Sequence, residues 1–274
     1  MEFVVLVAAG YILLVGALYF GQRSLMHHPE PLAPHPRDHA APEMSPVRIP
    51  VAAGLEIYAW WHPPPEPERP VLIYLHGNAD HIGDRDYKAR IMIDSGFGML
   101  LVTWRYNAGA GGRFSEQALL EDGRAALAFA RERGIPGEQI VLYGESLGTG
   151  IAVALAAGTD IGALVLETPY SSIADVAQSR YWYTPAKWLT RDRFDAMAHI
   201  GAVRAPVLVF HGDADATIPI RFAKRLFEAA PEPKEGHFIP GAGHADLYDY
   251  GAGVLVVDFV ERHVGRRPGT EPET

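Results

Sequence analysis

Residues 140–157 read IVLYGESLGTGIAVALAA. The apolar run Ile140 to Tyr143 predicts a short strand buried on both faces, and Leu147 to Ala157 predicts a helix. Between them, Gly144-Glu145-Ser146-Leu147-Gly148 fits the pattern G-x-S-x-G in the strand–turn–helix setting that gives the pattern its meaning. A serine on so sharp a turn presents its hydroxyl at the C-terminal edge of a sheet. Gly144 and Gly148 keep the adjoining backbone free of Cβ clashes. The helix that begins at Leu147 turns its positive end toward the same point, which favours a developing oxyanion. The bland alternative is a tight turn with a capping serine. The context favours a nucleophile, Ser146.

Working outward, short apolar runs alternate with helical stretches. Strands are predicted at Val47 to Ile49, Leu55 to Trp61, Val71 to Leu75, Met99 to Thr103, Ala163 to Glu167, Val207 to Phe210 and Gly236 to Ile239. Helices are predicted around Asp84 to Asp94, from an N-cap at Ser115 to about Arg133, at Ile220 to Ala229, and from about Leu247 to Arg262. Strands alternating with helices predict an α/β fold with a mostly parallel central sheet covered on both faces. One domain over residues 47–264 accommodates all of it. Residues 168–204 interrupt the rhythm and read as a lid-like insertion over the sheet.

A serine hydroxyl is a weak nucleophile at neutral pH and requires a base. Of the 12 histidines, His244 is the best placed, in the loop Gly241-Ala242-Gly243-His244 between the last strand and the last helix. His237 falls in a strand, His199 in the insertion, and His211 shapes the turn before Gly212. The carboxylate comes from His211-Gly-Asp-Ala-Asp-Ala-Thr-Ile-Pro219. Asp215, deeper in the loop, is the candidate that reaches an imidazole, while Asp213 is placed to cap the turn. Serine, then acid, then histidine is the chain order of α/β hydrolases rather than of trypsin-like or subtilisin-like enzymes. The oxyanion hole requires two N–H donors. They are assigned to Leu147, which follows the nucleophile, and Asn78, in the loop His76-Gly77-Asn78-Ala79; His76 is read as loop packing, and Asp80 and His81 as entrance residues or exposed ones. In the insertion, Tyr170, Trp182 and Trp188, with Tyr181 and Tyr183, are candidate acyl-binding residues, or else rings that pack the insertion onto the sheet. Arg180, Lys187, Arg191 and Arg193 nearby are candidate lipid-headgroup contacts or ordinary exposed cations.

Five blocks in order, YLHGNADHIG (74–83), GESLGTG (144–150), ETPYSS (167–172), HGDADATIP (211–219) and PGAGHADL (240–247), resemble the α/β-hydrolase superfamily, and more closely its membrane-anchored Bem-like branch. The resemblance covers nearly the whole chain, including Gln22-Arg23-Ser24-Leu25. It implies the α/β-hydrolase fold on a membrane helix, and ester or thioester cleavage in preference to peptide cleavage. One loop departs from it. Where the branch typically reads D-Y-R-G-Y-G, this chain has Trp104-Arg105-Tyr106-Asn107-Ala108-Gly109, which puts substrate shape inferred from the branch in doubt. Gly109 to Gly112 lack the Lys and Ser/Thr of a phosphate loop.

The first residues form a separate object. Phe3 to Phe20 is an unbroken run of apolar and small residues, about 27 Å long as a helix, which matches a bilayer core. A cleaved signal calls for a positive n-region and an A-x-A-like site, both missing here, so residues 1–22 are read as a single-pass anchor. Arg23 after the run leans toward a cytoplasmic domain and leaves the side open. Residues 23–46 read as a proline-rich extended linker or surface arm, whose His27, His28, His35 and His39 fit no zinc spacing. Residues 265–274 read as a disordered tail. A net charge of −9 without a basic stripe argues against nucleic acid. The chain has no cysteine, which removes disulfides and thiol nucleophiles. The expectation is a serine hydrolase of carboxylic esters or thioesters that forms an acyl-enzyme on Ser146, with no metal or organic cofactor. The rivals are a peptidase or amidase of the same fold and a non-catalytic membrane-tethered binding protein.

Overall fold

The computed structural model describes residues 1–26, 28–52, 54–79 and 81–264. His27, Asp80 and the tail 265–274 therefore lie outside the described residues. In chain order the elements are α1 (Glu2–Met26), β1 (Ser45–Ala52), β2 (Leu55–His62), β3 (Val71–Leu75), α2 (Asp86–Asp94), β4 (Gly98–Val102), α3 (Glu116–Glu132), β5 (Ile140–Glu145), α4 (Leu147–Ala156), β6 (Ala163–Glu167), α5 (Ile173–Arg180), α6 (Ala186–Leu189), β7 (Val207–Gly212), α7 (Arg221–Ala229), β8 (Lys234–Ile239) and α8 (Ala252–His263).

The strands form one eight-stranded sheet in the order β1-β2-β4-β3-β5-β6-β7-β8. β1 and β2 pair antiparallel, as do β2 and β4, and the six strands from β4 to β8 run parallel. β3, β4, β5 and β6 are continuous apolar runs because both of their faces are covered. On one face, Ile73, Leu142 and Leu166 meet α3, α4 and α7 through Leu119, Ile151 and Leu226. On the other, Leu72, Tyr143 and Phe210 meet α2 and α8 through Met92, Val256 and Phe259. This is the α/β-hydrolase fold, with an apolar helix at its N-terminus. The parallel strands β3, β5, β6, β7 and β8 end on the same edge of the sheet, and their C-terminal loops supply the candidate residues.

Two differences from the sequence reading have local causes. The last helix begins at Ala252 rather than Leu247, because Gly251 takes a left-handed conformation (φ 87°) and ends a short 3-10 turn over Leu247–Tyr250. The first strand begins at Ser45 and runs to Ala52, well beyond Val47 to Ile49, since register with β2 supplies the pairing that its prolines obscure. Of the two readings of the proline-rich segment, a linker or a surface arm, the contacts fit the arm. Pro34 O accepts hydrogen bonds from Tyr58 Oη and Trp60 Nε1, at 2.8 and 3.0 Å, and Ala41 and Met44 are buried.

Candidate active site

Ser146 stands between β5 and α4 with φ 48° and ψ −115°, a conformation disfavoured for any residue with a side chain. The surroundings over-determine it. Ser146 N–H donates to Glu167 O at 3.0 Å, tying the turn to the end of β6, and its carbonyl accepts from Thr149 N–H at 3.0 Å and Thr149 Oγ1 at 2.6 Å. A Cβ at Gly148 would lie 1.9 Å from Leu75 O, and one at Gly144 would lie 2.6 Å from Thr149 Cα. Gly148 lets the turn press against the end of β3 and Gly144 lets β5 press against the first turn of α4, which swings the serine side chain out over the sheet edge.

The structure brings Ser146, His244 and Asp215 together from three loops. His244 Nε2 lies 3.0 Å from Ser146 Oγ, and His244 Nδ1 lies 2.7 Å from Asp215 Oδ2. The loop that carries His244 is fixed by Asp213, whose Oδ1 accepts from Gly241 N–H at 2.7 Å, and by the Ala214 N–H bond to Ala242 O at 3.0 Å. Asp213 thus positions the histidine loop, and Asp215 reaches the imidazole. Asp215 Oδ1 accepts from Thr217 and Ile218 N–H at 2.7 and 2.9 Å. Burial alone would raise this carboxyl, but hydrogen bonds from His211 and His244 outweigh that effect and hold it well below the usual carboxylate range.

His211 is the contributor that the sequence reading confined to loop shape. It is buried, and its Nε2 sits 3.1 Å from Asp215 Oδ2 and 2.9 Å from Ile218 O. His211 and His244 thus share Asp215 Oδ2 while Oδ1 takes the two backbone N–H groups, so the carboxylate is fixed in the orientation that faces His244. The i, i+4 spacing of His211 and Asp215 was the available signal, though it acquires meaning only once the loop is known to fold back.

Leu147 is the first residue of α4, where the backbone N–H has no intrahelical acceptor. The loop that carries Asn78 passes against the nucleophile: a Cβ at Gly77 would stand 3.4 Å from Ser146 Cβ. Asn78, Ser146 and Leu147 line one cavity of about 570 Å³. The departing loop at Trp104–Gly109 buttresses this corner from below. Trp104 is buried and its Nε1 donates to His76 O at 3.1 Å, while Asn107 Oδ1 accepts from Glu30 N–H at 2.9 Å and holds the N-terminal arm.

Behind the nucleophile lies a charged cluster that the sequence reading did not identify. Glu145 accepts from Arg85 Nη2 at 2.8 Å, from Lys88 Nζ at 3.4 Å and from Tyr74 Oη; Lys88 also bridges to Glu167 at 2.9 Å. Burial pushes the Glu145 carboxyl up, but Lys88 and Arg85 more than reverse this and hold it well below its ordinary value. These charges come from β5, β6 and the segment around α2, so no local sequence pattern connects them.

The aromatic candidates of the insertion separate. Tyr170 is fully buried, lines the cavity, and donates from Oη to Leu147 O at 2.9 Å. Trp182 and Trp188 are 78% and 81% exposed and lie outside the cavity lining. The lining instead includes Ile173, Val176 and Ala177 of α5, Leu189 of α6, and one face of α1. That face was not anticipated from the sequence, because α1 is apolar all round and has no stripe to mark it.

Several known proteins resemble the chain. An uncharacterized protein of Mycobacterium tuberculosis, Rv2307c, is 33% identical over 266 residues, spanning 94% of this chain and 92% of its own length. The lysophosphatidylserine lipase ABHD12 of Danio rerio is 30% identical over 207 residues, which are 66% of this chain and 54% of that protein. Among solved structures, the Pyrococcus furiosus esterase Pf2001 aligns with a TM-score of 0.71 at 15% identity, covering 87% of this chain and 100% of that one. No family profile matches the chain.

Proposed function

We propose that the chain, a member of the α/β-hydrolase superfamily, is a serine hydrolase cleaving carboxylic esters or thioesters of apolar acyl groups at a membrane. The observation that carries this reading is the relay Ser146 Oγ–His244 Nε2 at 3.0 Å and His244 Nδ1–Asp215 Oδ2 at 2.7 Å, opening into a mostly apolar cavity.

In this reading Ser146 Oγ attacks the acyl carbonyl carbon while His244 Nε2 takes its proton. Asp215 holds the imidazole with its Nδ1–H inward and stabilises the imidazolium that forms. The N–H groups of Leu147 and Asn78 receive the oxyanion, helped by the positive end of α4. Collapse of the tetrahedral intermediate breaks the bond to the alkoxide or thiolate, which leaves with the proton from His244. Water, deprotonated by His244, then attacks the acyl-enzyme and returns the carboxylic acid and free Ser146.

The cavity volume falls within the roughly 300–1,000 Å³ range of small-molecule sites, and its mostly apolar surface suits an acyl chain. The lipase among the relatives supports an acyl ester carried on a lipid. Helix α1 is long and apolar enough to cross a membrane, and supports anchorage there. The test is to label the full-length protein with a fluorophosphonate, locate the adduct, and assay matched esters, thioesters and amides. Labelling at Ser146 with turnover of esters or thioesters is expected. Failure to label refutes the mechanism and favours a binding role, while preferred amide cleavage favours the peptidase reading.

A further inference from the structure

Helix α1 is apolar on every side, yet it meets the domain through one face only. Val15, Leu18, Tyr19, Gln22 and Met26 are half-buried and line the cavity that holds Ser146. Their spacing of 3, 1, 3 and 4 residues is that of one helical stripe. Leu13 and Leu14, on neighbouring sides, remain exposed.

Directional polar bonds hold the stripe in place, which distinguishes this contact from an apolar helix merely finding cover. Gln22 bonds the end of the lid in both directions: its Nε2 donates to Leu189 O at 3.2 Å and its Oε1 accepts from Arg191 N–H at 2.8 Å. Arg23 makes a two-pronged pair with Asp192, at 2.6 and 3.0 Å, and Asp192 also accepts from Glu116 N–H at the start of α3. Farther up, Tyr11 Oη donates to Tyr183 O at 3.1 Å. The lid therefore follows α1 from Gln22 back to Tyr11, about 16 Å along its axis. A helix that enters a membrane carries the cavity mouth, and the exposed rings of Trp182 and Trp188, toward the acyl chains.

We propose that α1 is a wall of the acyl-binding site as well as an anchor, and that the stripe Val15–Leu18–Tyr19 sets which acyl lengths reach Ser146. The inference rests on the serine-hydrolase reading above. It assigns the substrate's apolar tail to the groove between α1 and the lid, with the scissile carbonyl at Ser146, Leu147 and Asn78. Acyl-length preference then depends on side chains more than a hundred residues from the nucleophile, inside a segment that otherwise passes for a simple tether.

The test uses full-length protein in phosphatidylcholine vesicles. The rate of Ser146 labelling is compared for fluorophosphonates that bear an ethyl or a dodecyl chain. Leu18→Trp fills the groove and is expected to lower the dodecyl-to-ethyl ratio by about tenfold, the effect of excluding roughly two methylenes from an apolar site. Leu18→Ala, which cannot overpack, is expected to raise the ratio, and Leu13→Trp on an exposed side to leave it within about twofold of wild type. If Leu18→Trp fails to fold, the direction of change in Leu18→Ala decides. Unchanged ratios in the Leu18 variants, with Ser146 labelled normally, overturn the inference and leave the hydrolase reading standing. Absence of labelling by either probe in the wild type overturns both.

Discussion

The cavity has two walls of opposite construction. The wall formed by α4 and the loops after β3, β5, β6 and β7, backed by His244 from the loop after β8, is rigid. Its nucleophile sits at φ 48°, locked by glycine contacts, a buried charge cluster and a carboxylate that takes four donors. The wall formed by α1, α5 and α6 is apolar surface laid on apolar surface, held by a few polar ties at Tyr11, Gln22 and Arg23. Bond cleavage tolerates little displacement, so its residues sit on the sheet edge, where packing over-determines them. Recognition of an acyl chain is non-directional and tolerates adjustment, so a lid and a helix suffice for it.

The contrast is broken most readily at the rigid wall. Ser146→Ala and His244→Ala should each lower kcat on the order of 10⁴-fold or more while the melting temperature stays near wild type, and the double variant should cost little further. Activity retained by Ser146→Ala, measured on protein freed of other esterases, removes the mechanism. Asp215→Asn comes next, with a loss of roughly 10²- to 10⁴-fold, since the imidazole loses its preferred tautomer. Asp213→Asn should cost far less, because its partner is a backbone N–H. A reversed order would reassign the acid.

Glu145→Gln sharpens the comparison by separating support from chemistry. It leaves Arg85 without its full counter-charge and should cost about 3 kcal/mol, measured by denaturant unfolding at neutral pH. Because the Glu145 carboxyl is held below its unfolded value, its contribution is fully present above about pH 4.3 and is lost as pH falls below that. The wild type should therefore lose stability more steeply than Glu145→Gln from about pH 4 downward. Parallel acid limbs would contradict the assigned shift.

The adjustable wall yields the smallest effects. Arg23→Gln, which breaks a partly exposed pair, should lower thermal stability only slightly, by about 1 kcal/mol or less. Trp182→Ala and Trp188→Ala should leave kcat/KM for soluble acetyl and octanoyl esters within about twofold, since both rings face away from the cavity. A selective loss on the octanoyl ester would show that the lid turns these rings inward.

The residues of the rigid wall were legible in the sequence because each obeys a local rule. A serine between two glycines at a strand–helix junction, an acid and a histidine in loops after later strands, and apolar runs too short for helices all carry their meaning within about ten residues. The same rules placed β3, β4, β5 and β6 within a residue or two. They failed at α8, where a left-handed glycine governs the start, and at Trp182 and Trp188, where composition names the ring but not its direction. They were also silent about His211 as a donor to Asp215 and about the Glu145, Arg85, Lys88 and Glu167 cluster, whose members meet only after three segments of chain are brought together.

By itself, then, the sequence determined the fold class, the candidate nucleophile, acid and base, and an N-terminal helix of membrane-crossing length. Tertiary structure alone decided what covers the nucleophile. Periodicity reveals a buried face by contrast with a polar one, and α1 offers no contrast, being apolar on every side. Only the placement of the lid, fixed by Gln22, Arg23 and Asp192, selects Val15, Leu18 and Tyr19 from among equally apolar neighbours and turns them toward Ser146.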